Sequence, residues 1–318
     1  MSPVFYITGA SGFLGNKLCA YLATADKHIK VYGASRSPAK NCTWIQTNLL
    51  ESCVVPSDVT HVIHAAALLN PLSKETYTQN LKMARILLSS LRSNIHFTCV
   101  SSLIVFPGTR APSGVCLESC TPKPTANLDY YTQSKLEIEA LLSKSRCTIV
   151  RPGLLVSEPE SSISITDVLS SFITSLLEHP DYASRLNPNL VVDCSPVNWV
   201  ARSIIHLSLQ KATGIHHLAH PKGITSTALI TALNPIPAET TIAPRGLIKE
   251  RLELAVNPDP NSKYYPLHLF LTTGYKFDMR KSIKLGVTMP ISETKILNHY
   301  VEHARNNHRK IPATPQGA

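Results

Sequence analysis

The chain has 318 residues, 43% of them apolar and 16% charged, with 13 glycines against 23 prolines; that composition builds a packed core and excludes a disordered or fibrous protein. Thirty-one Lys and Arg against 21 Asp and Glu give a net charge of +10, but basic and acidic residues are interspersed and no aromatic run interleaves them, which excludes a nucleic-acid surface and leaves a solvated basic face or an acidic or phosphorylated partner. No apolar run approaches the roughly 18 residues needed to cross a bilayer, and eight cysteines are scattered without a CxxC pair, so a cytoplasmic protein with no signal peptide, no membrane contact, unpaired thiols and no metal is expected.

In chain order, short apolar runs at 4–8, 30–34, 44–47, 61–64, 96–100 and 147–151 read as buried strands, and amphipathic stretches at 12–23, 74–90 and 130–143 as helices between them. Such alternation predicts a doubly wound parallel α/β sheet, because each crossover helix returns the chain to the same sheet. After Arg151 the rhythm changes. Ser-rich and Pro-broken segments at 157–164 and 234–237 separate helical patterns at 167–178, 199–210 and 291–306. The expected organisation is a nucleotide-binding domain over 1–155, rejoined by about 190–220, a smaller substrate lobe from 156–189 and 221–311, and a flexible tail over 312–318.

Gly9-Ala10-Ser11-Gly12-Phe13-Leu14-Gly15 directly follows the first strand and opens the first helix. Gly9 permits the tight turn, Gly12 lets the backbone approach a diphosphate and Gly15 lets helix and strand pack closely. Strand, turn and helix stand in the order that dinucleotide binding requires, with Ser11, Phe13 and Leu14 inside the same segment. No acid lies between Asp26 and Glu51, whereas Arg36 ends the second strand and Lys40 follows. A carboxylate there would accept from the ribose 2'-hydroxyl of NAD; a guanidinium suits the 2'-phosphate of NADP(H), which is therefore the expected cofactor.

Tyr131 and Lys135 stand four residues apart at the head of a helix. They share a face, so the ammonium is expected to stabilise phenolate and lower the phenol pKa. Upstream, Ser101 and Ser102 follow the fifth strand, at the crevice where open sheets hold ligands. Ser102 would bond a substrate carbonyl oxygen, Tyr131 would protonate it as hydride arrives, and Lys135 would also hold the nicotinamide ribose. His61 and His64 flank a buried strand, and His216, His217 and His220 lie in a strand-to-loop segment without an acidic partner, so all five read as satisfied structural histidines rather than metal ligands.

Together these residues resemble the extended branch of the short-chain dehydrogenase/reductase family, whose fold is of the Rossmann type. The likeness is carried by Gly9-x-x-Gly12-x-x-Gly15, His64-Ala65-Ala66-Ala67, Asn80, Ser102, Tyr131-x-x-x-Lys135 and Arg151-Pro152-Gly153. It implies that Ala65, Ala66 and Ala67 line the cofactor with Ser101, that Asn80 buttresses the site, that Asn48 and Leu49 meet the adenine, and that Pro152 approaches the nicotinamide. A narrower likeness, through Ala66–Asn70, Ser195–Ala201, Gly214–Pro221 and Tyr275–Asp278, is to the thioester reductase domains of nonribosomal peptide synthetases and carboxylic acid reductases. That resemblance implies NADPH-dependent reduction of an acyl thioester to an aldehyde or alcohol, on an acyl or peptidyl carrier protein in trans or on acyl-CoA. Two other readings stay open: reduction or epimerisation of a free ketone, aldehyde or nucleotide-sugar, and a non-catalytic cofactor-sensing protein.

Overall fold

The computed structural model describes residues 2–106, 114–122, 128–159, 161–163, 167–234, 244, 246–257 and 276–308. The tail expected to be flexible and most of the 234–237 break lie outside the described residues. The chain divides into two compact units, one within 1–155, 197–221 and 275–290, the other within 156–196, 222–274 and 291–318.

The elements run β1 (Val4–Thr8), α1 (Phe13–Ala25), β2 (Lys30–Ser35), β3 (Thr43–Gln46), β4 (His61–His64), α2 (Lys74–Ser89), β5 (His96–Val100), β6 (Val115–Cys116), α3 (Tyr130–Leu142), β7 (Thr148–Pro152), β8 (Leu154–Val156), α4 (Val168–Glu178), α5 (Pro180–Ser184), β9 (Val191–Val192) and β10 (Cys194–Pro196). They continue with α6 (Val197–Leu209), β11 (Gly214–Leu218), β12 (Ile224–Thr225), α7 (Ser226–Leu233), α8 (Gly246–Val256), β13 (Lys276–Phe277), α9 (Arg280–Lys284) and α10 (Glu293–His308).

The first unit is built on a seven-stranded sheet in the order β11-β7-β5-β4-β1-β2-β3, with all its paired strands parallel. Parallel strands need both faces covered, and every residue of β4, β5 and β7 is buried. Phe5, Ile7, Leu18, Leu22, Val150, Trp199 and Ile204 form the core on the α1/α6 face. Tyr6, Val62, Leu81, Leu87, Phe97, Ile138 and Ile149 form the core on the α2/α3 face. Alternate residues of β1 thus feed opposite layers, as a pleated strand demands.

The helices start where side chains satisfy their first amides. Ser73 accepts from Glu75 N at the head of α2 (3.3 Å), and Asp129 accepts from Thr132 N at the head of α3 (2.9 Å). Trp199, fully buried on α6, donates its indole N–H to the Thr288 carbonyl at 2.7 Å. Residues 276–290, expected in the substrate lobe, group instead with the first unit. The cause is local pairing: β13 adds to β6, and α9 packs along the edge strand β11.

In the second unit, α4 buries Leu169, Phe172, Ile173, Leu176 and Leu177 and packs on α10. Tyr300 of α10 donates its hydroxyl to Asp167 at the head of α4 (2.6 Å) and accepts from Ser157 N (2.7 Å). Among the described residues no helix is long and apolar enough to cross a membrane.

Candidate active site

The sheet order reverses between β1 and β4, which opens a crevice beyond the carboxyl ends of those strands. Gly9 turns the chain there with φ +72° and donates to the Ala34 carbonyl at 2.9 Å. A Cβ on Gly9 would lie 2.8 Å from the Ala66 backbone, and one on Gly15 only 2.1 Å from the Gly9 carbonyl oxygen, so neither position accepts a side chain without backbone movement. Gly12 caps α1 without a side-chain hydrogen bond, and the first turn of α1 holds no acid. The helix therefore presents its amide ends and partial positive charge with no carboxylate to compete for them.

A cavity at this turn is lined by Gly9, Ser11 and Gly12, by Ala34 to Ser37, by Thr47 to Leu50, by Ala65 to Leu68, and by Gln79 and Met83. The sequence-predicted residues Gly9, Ser11, Gly12, Arg36, Asn48, Leu49, Ala65, Ala66 and Ala67 are thus brought to one cavity. Phe13, Leu14, Gly15, Lys40, Ser101, Ser102, Tyr131, Lys135 and Pro152 are not among the lining residues. Leu14 and Gly15 are buried against the sheet, while Phe13 and Lys40 are exposed.

No lining residue is acidic. A turn that rejects Cβ atoms and a helix end with no side-chain cap, beside a cavity lined without carboxylates, fit the diphosphate of a dinucleotide. Sequence reasoning missed Gln79 and Met83, whose four-residue spacing on α2 was a readable signal, and also Ser37 and Thr47. It missed Thr8 as well, whose hydroxyl lies 2.8 Å from His64 Nδ1 and accepts from Ala66 N at 3.4 Å, steadying the alanine run.

Asn80 is buried and takes no place in the wall. Its side chain accepts from Leu68 N at 2.7 Å and donates to the Leu68 carbonyl at 3.0 Å and to Ser134 Oγ at 3.1 Å. It therefore ties the loop after β4 to α3. Ser134 in turn donates to the Tyr131 carbonyl at 2.7 Å.

Tyr131 and Lys135 are both buried on α3. The Lys135 ammonium stands 5.5 Å from the Tyr131 ring centroid and donates to the Val100 carbonyl at 2.8 Å. The expected acidified phenol is not what the geometry produces. Burial first, then the Asp129 carboxylate and the Cys99 thiol, raise the Tyr131 pKa above its ordinary value. Burial lowers the Lys135 pKa. The phenol accordingly holds its proton at neutral pH, the state that a proton donor needs. Ser102 Oγ accepts from Ile104 N at 3.3 Å, and Pro152 ends β7 opposite Leu218 of β11.

The Ser101 side chain turns away from the role expected of it, donating to Glu139. Glu139 receives the Arg151 fork, Nε at 2.9 Å and Nη2 at 2.5 Å, and the pair is nearly inaccessible, with 0% and 2% side-chain exposure. Arg151 Nη1 also donates to the Cys120 carbonyl (3.0 Å) and to His217 Nε2 (3.4 Å), whose Nδ1 donates to the Asp278 carbonyl (3.0 Å). Burial and the Arg151 charge hold His217 neutral, with its pKa pushed down to about 3.

A second buried carboxylate, Glu118, accepts from His217 N (3.0 Å), Lys281 N (2.7 Å) and Ser282 Oγ. It fastens the turn following β6 to β11 and α9. Sequence reasoning assigned neither Glu118 nor Glu139 a role. Of the histidines expected to be satisfied, His61 leaves its buried Nε2 without a partner.

Residues 5–190 match the family described as NAD dependent epimerase/dehydratase. The chain belongs to that family. Family membership makes it an NAD(P)-dependent, oxidoreductase-like protein of the extended short-chain dehydrogenase/reductase group.

Among solved structures it is similar to the terminal R domain from the myxalamid PKS-NRPS biosynthetic pathway, at 18% identity and TM-score 0.73, covering 97% of this chain and 92% of that one. It is also similar to a thiolation-reductase di-domain from an archaeal non-ribosomal peptide synthetase, at 16% identity and TM-score 0.68, covering 97% and 76%. RMD from Pseudomonas aeruginosa, complexed with NADPH, matches at 19% identity and TM-score 0.65, covering 96% and 100%. No curated protein matches the chain.

Proposed function

We propose that the chain is an NADPH-dependent reductase that releases an acyl thioester, held by a carrier protein in trans or by CoA, as an aldehyde or, after a second reduction, an alcohol. The observation that carries the reading is the buried Tyr131 beside the Lys135 ammonium on one helix, on a fold similar to a terminal reductase domain over 97% of the chain. The thiolation-reductase likeness and the +10 net charge support an acidic carrier as partner.

The cradle of Gly9, Ser11 and Gly12 would hold the cofactor diphosphate, Arg36 with Ser35 and Ser37 its 2'-phosphate, and Asn48 and Leu49 its adenine. Ala65 to Ala67, Lys135 and Pro152 would serve the nicotinamide half. A cofactor held there would supply hydride to the acyl carbon. Tyr131 donates its proton to the carbonyl oxygen, and Ser102 gives that oxygen a hydrogen bond as charge develops. Lys135 stabilises the phenolate left behind. The resulting hemithioacetal collapses to aldehyde and free thiol.

The family match favours a second reading, turnover of a free ketone, aldehyde or nucleotide-sugar. Both are tested by incubating the protein with NADPH and a panel of acyl-carrier and acyl-CoA thioesters, ketones and nucleotide-sugars. Cofactor oxidation with thioesters is expected. Silence on every thioester, alongside turnover of a ketone or nucleotide-sugar, would overturn the first reading in favour of the second.

A further inference from the structure

We propose that Glu139, locked by Arg151, is a positioning residue of the site: by accepting the Ser101 hydroxyl it fixes the end of β5 and so sets the direction of the Ser102 hydroxyl, assigned above to the substrate carbonyl. The inference rests on the reductase chemistry proposed above and adds to it a residue that acts through its neighbours.

Tyr131, Lys135 and Glu139 follow one another at four-residue steps on α3, so they share one face of the helix, and all three are buried. Two of them are tied to consecutive residues at the end of β5. The Lys135 ammonium donates to the Val100 carbonyl at 2.8 Å, and the Ser101 hydroxyl donates to Glu139 Oε1. The Ser101 amide donates to the Val150 carbonyl of β7 at 2.7 Å. Ser102 follows directly in extended backbone, with φ −158° and ψ 153°, and its side chain accepts from Ile104 N at 3.3 Å. Residue 101 is thus held through both main chain and side chain, and Ser102 takes its direction from that hold.

Glu139 is itself immobilised. Its two oxygens receive Arg151 Nε at 2.9 Å and Nη2 at 2.5 Å, while Arg151 Nη1 donates to the Cys120 carbonyl at 3.0 Å and to His217 Nε2 at 3.4 Å. The fork balances the two charges without help; the further bond to Ser101 links the pair to the residue adjoining Ser102. Glu139 also stands one turn beyond Lys135, the spacing at which opposite charges on a helix attract. Burial lowers the Lys135 pKa, and Cys99 and Glu139 oppose that fall, which favours the charged form that steadies a Tyr131 phenolate.

Ser101→Ala deletes the tether and leaves the ion pair intact, whereas removing Glu139 alone strands a buried guanidinium and endangers folding. NADPH oxidation is measured for the unaltered chain, Ser101→Ala, Ser102→Ala and the double variant, on a thioester and on any ketone or nucleotide-sugar that is turned over. Ser101→Ala is expected to lower kcat about 10- to 100-fold, the cost of misplacing a group by about 1 Å, with the KM for NADPH unchanged. In the Ser102→Ala background the same substitution should change nothing further, because it acts through Ser102. The paired change Glu139→Met with Arg151→Met, which removes the acceptor without leaving a charge, should reproduce the Ser101→Ala loss. Hydrogen exchange without substrate is followed in parallel: residues 98–106 should exchange faster in Ser101→Ala, with β1 unaffected. Unchanged kcat in Ser101→Ala, a loss that multiplies in full with that of Ser102→Ala, or unchanged exchange over 98–106 would each overturn the proposal. Silence on thioesters alone overturns the reductive-release reading instead, since the cycle is then read on the other substrate. In a protein silent on every substrate, the exchange result decides.

Discussion

Replacing Arg151 by methionine removes five polar or ring contacts from a fully enclosed site. Glu139 loses both forks of its ion pair and keeps only Ser101, the Cys120 carbonyl and His217 Nε2 lose their donor, and Phe106 loses a guanidinium 5.0 Å from its ring. Breaking a buried pair from one side leaves an uncompensated charge and costs about 3–5 kcal/mol, whereas replacing both partners by apolar groups is often close to neutral. Arg151→Met and Glu139→Met are therefore each expected to destabilise by about 3–5 kcal/mol, with the double variant well short of their sum, a coupling of at least about 2 kcal/mol. Urea unfolding followed by tryptophan fluorescence is the suitable assay, because both tryptophans, Trp44 and Trp199, belong to the first unit. Additive single-variant losses, or a single-variant loss below about 1 kcal/mol, would refute the reasoning that desolvated charges, rather than packing, dominate here.

Three further expectations concern the site and its pH dependence. Arg36→Ala removes a charge-assisted contact of about 1.5–3 kcal/mol, so the KM for NADPH should rise roughly 10- to 150-fold with that for NADH nearly unchanged; equal effects on both cofactors would defeat the assignment. Tyr131→Phe, which deletes the proton and keeps the ring, should lower kcat by about 10²–10⁴, and unaltered turnover would mean that another group carries the proton. His64 and His217, both buried, have folded pKa values pushed from 6.5 down to about 3. Because the unfolded chain binds the protons, their contribution is complete above pH 6.5 and is lost as pH falls toward about 3, at about 1.4 kcal/mol per unit for each histidine. Chemical denaturation across that range should show the fall; a flat profile would contradict it.

The β-α alternation and the glycine spacing made the sheet and the phosphate turn legible, because both are written in local periodicity. Strand and helix positions moved by only a few residues, for example 199–210 starting at Val197. What escaped reading was long-range. Glu118 joins groups up to 164 residues away in the chain, and no local pattern announces which buried carboxylate will meet which amide. The phenol shows the same limit: helical spacing placed Lys135 beside Tyr131 correctly, but the sign of the pKa shift came from burial and from Asp129, which caps the same helix. Ser101 and Ser102 are neighbours with the same chemistry, yet strand alternation sends one side chain to Glu139 and leaves the other at the head of the following turn.

The central claim is that reduction at this site severs an acyl–sulfur bond. Counting NADPH oxidised and thiol liberated in the same reaction, with an acyl-pantetheine carrier as substrate, tests it most directly. One thiol per NADPH for an aldehyde product, or one per two for an alcohol, is the predicted result. Oxidation of NADPH without release of any thiol would contradict it.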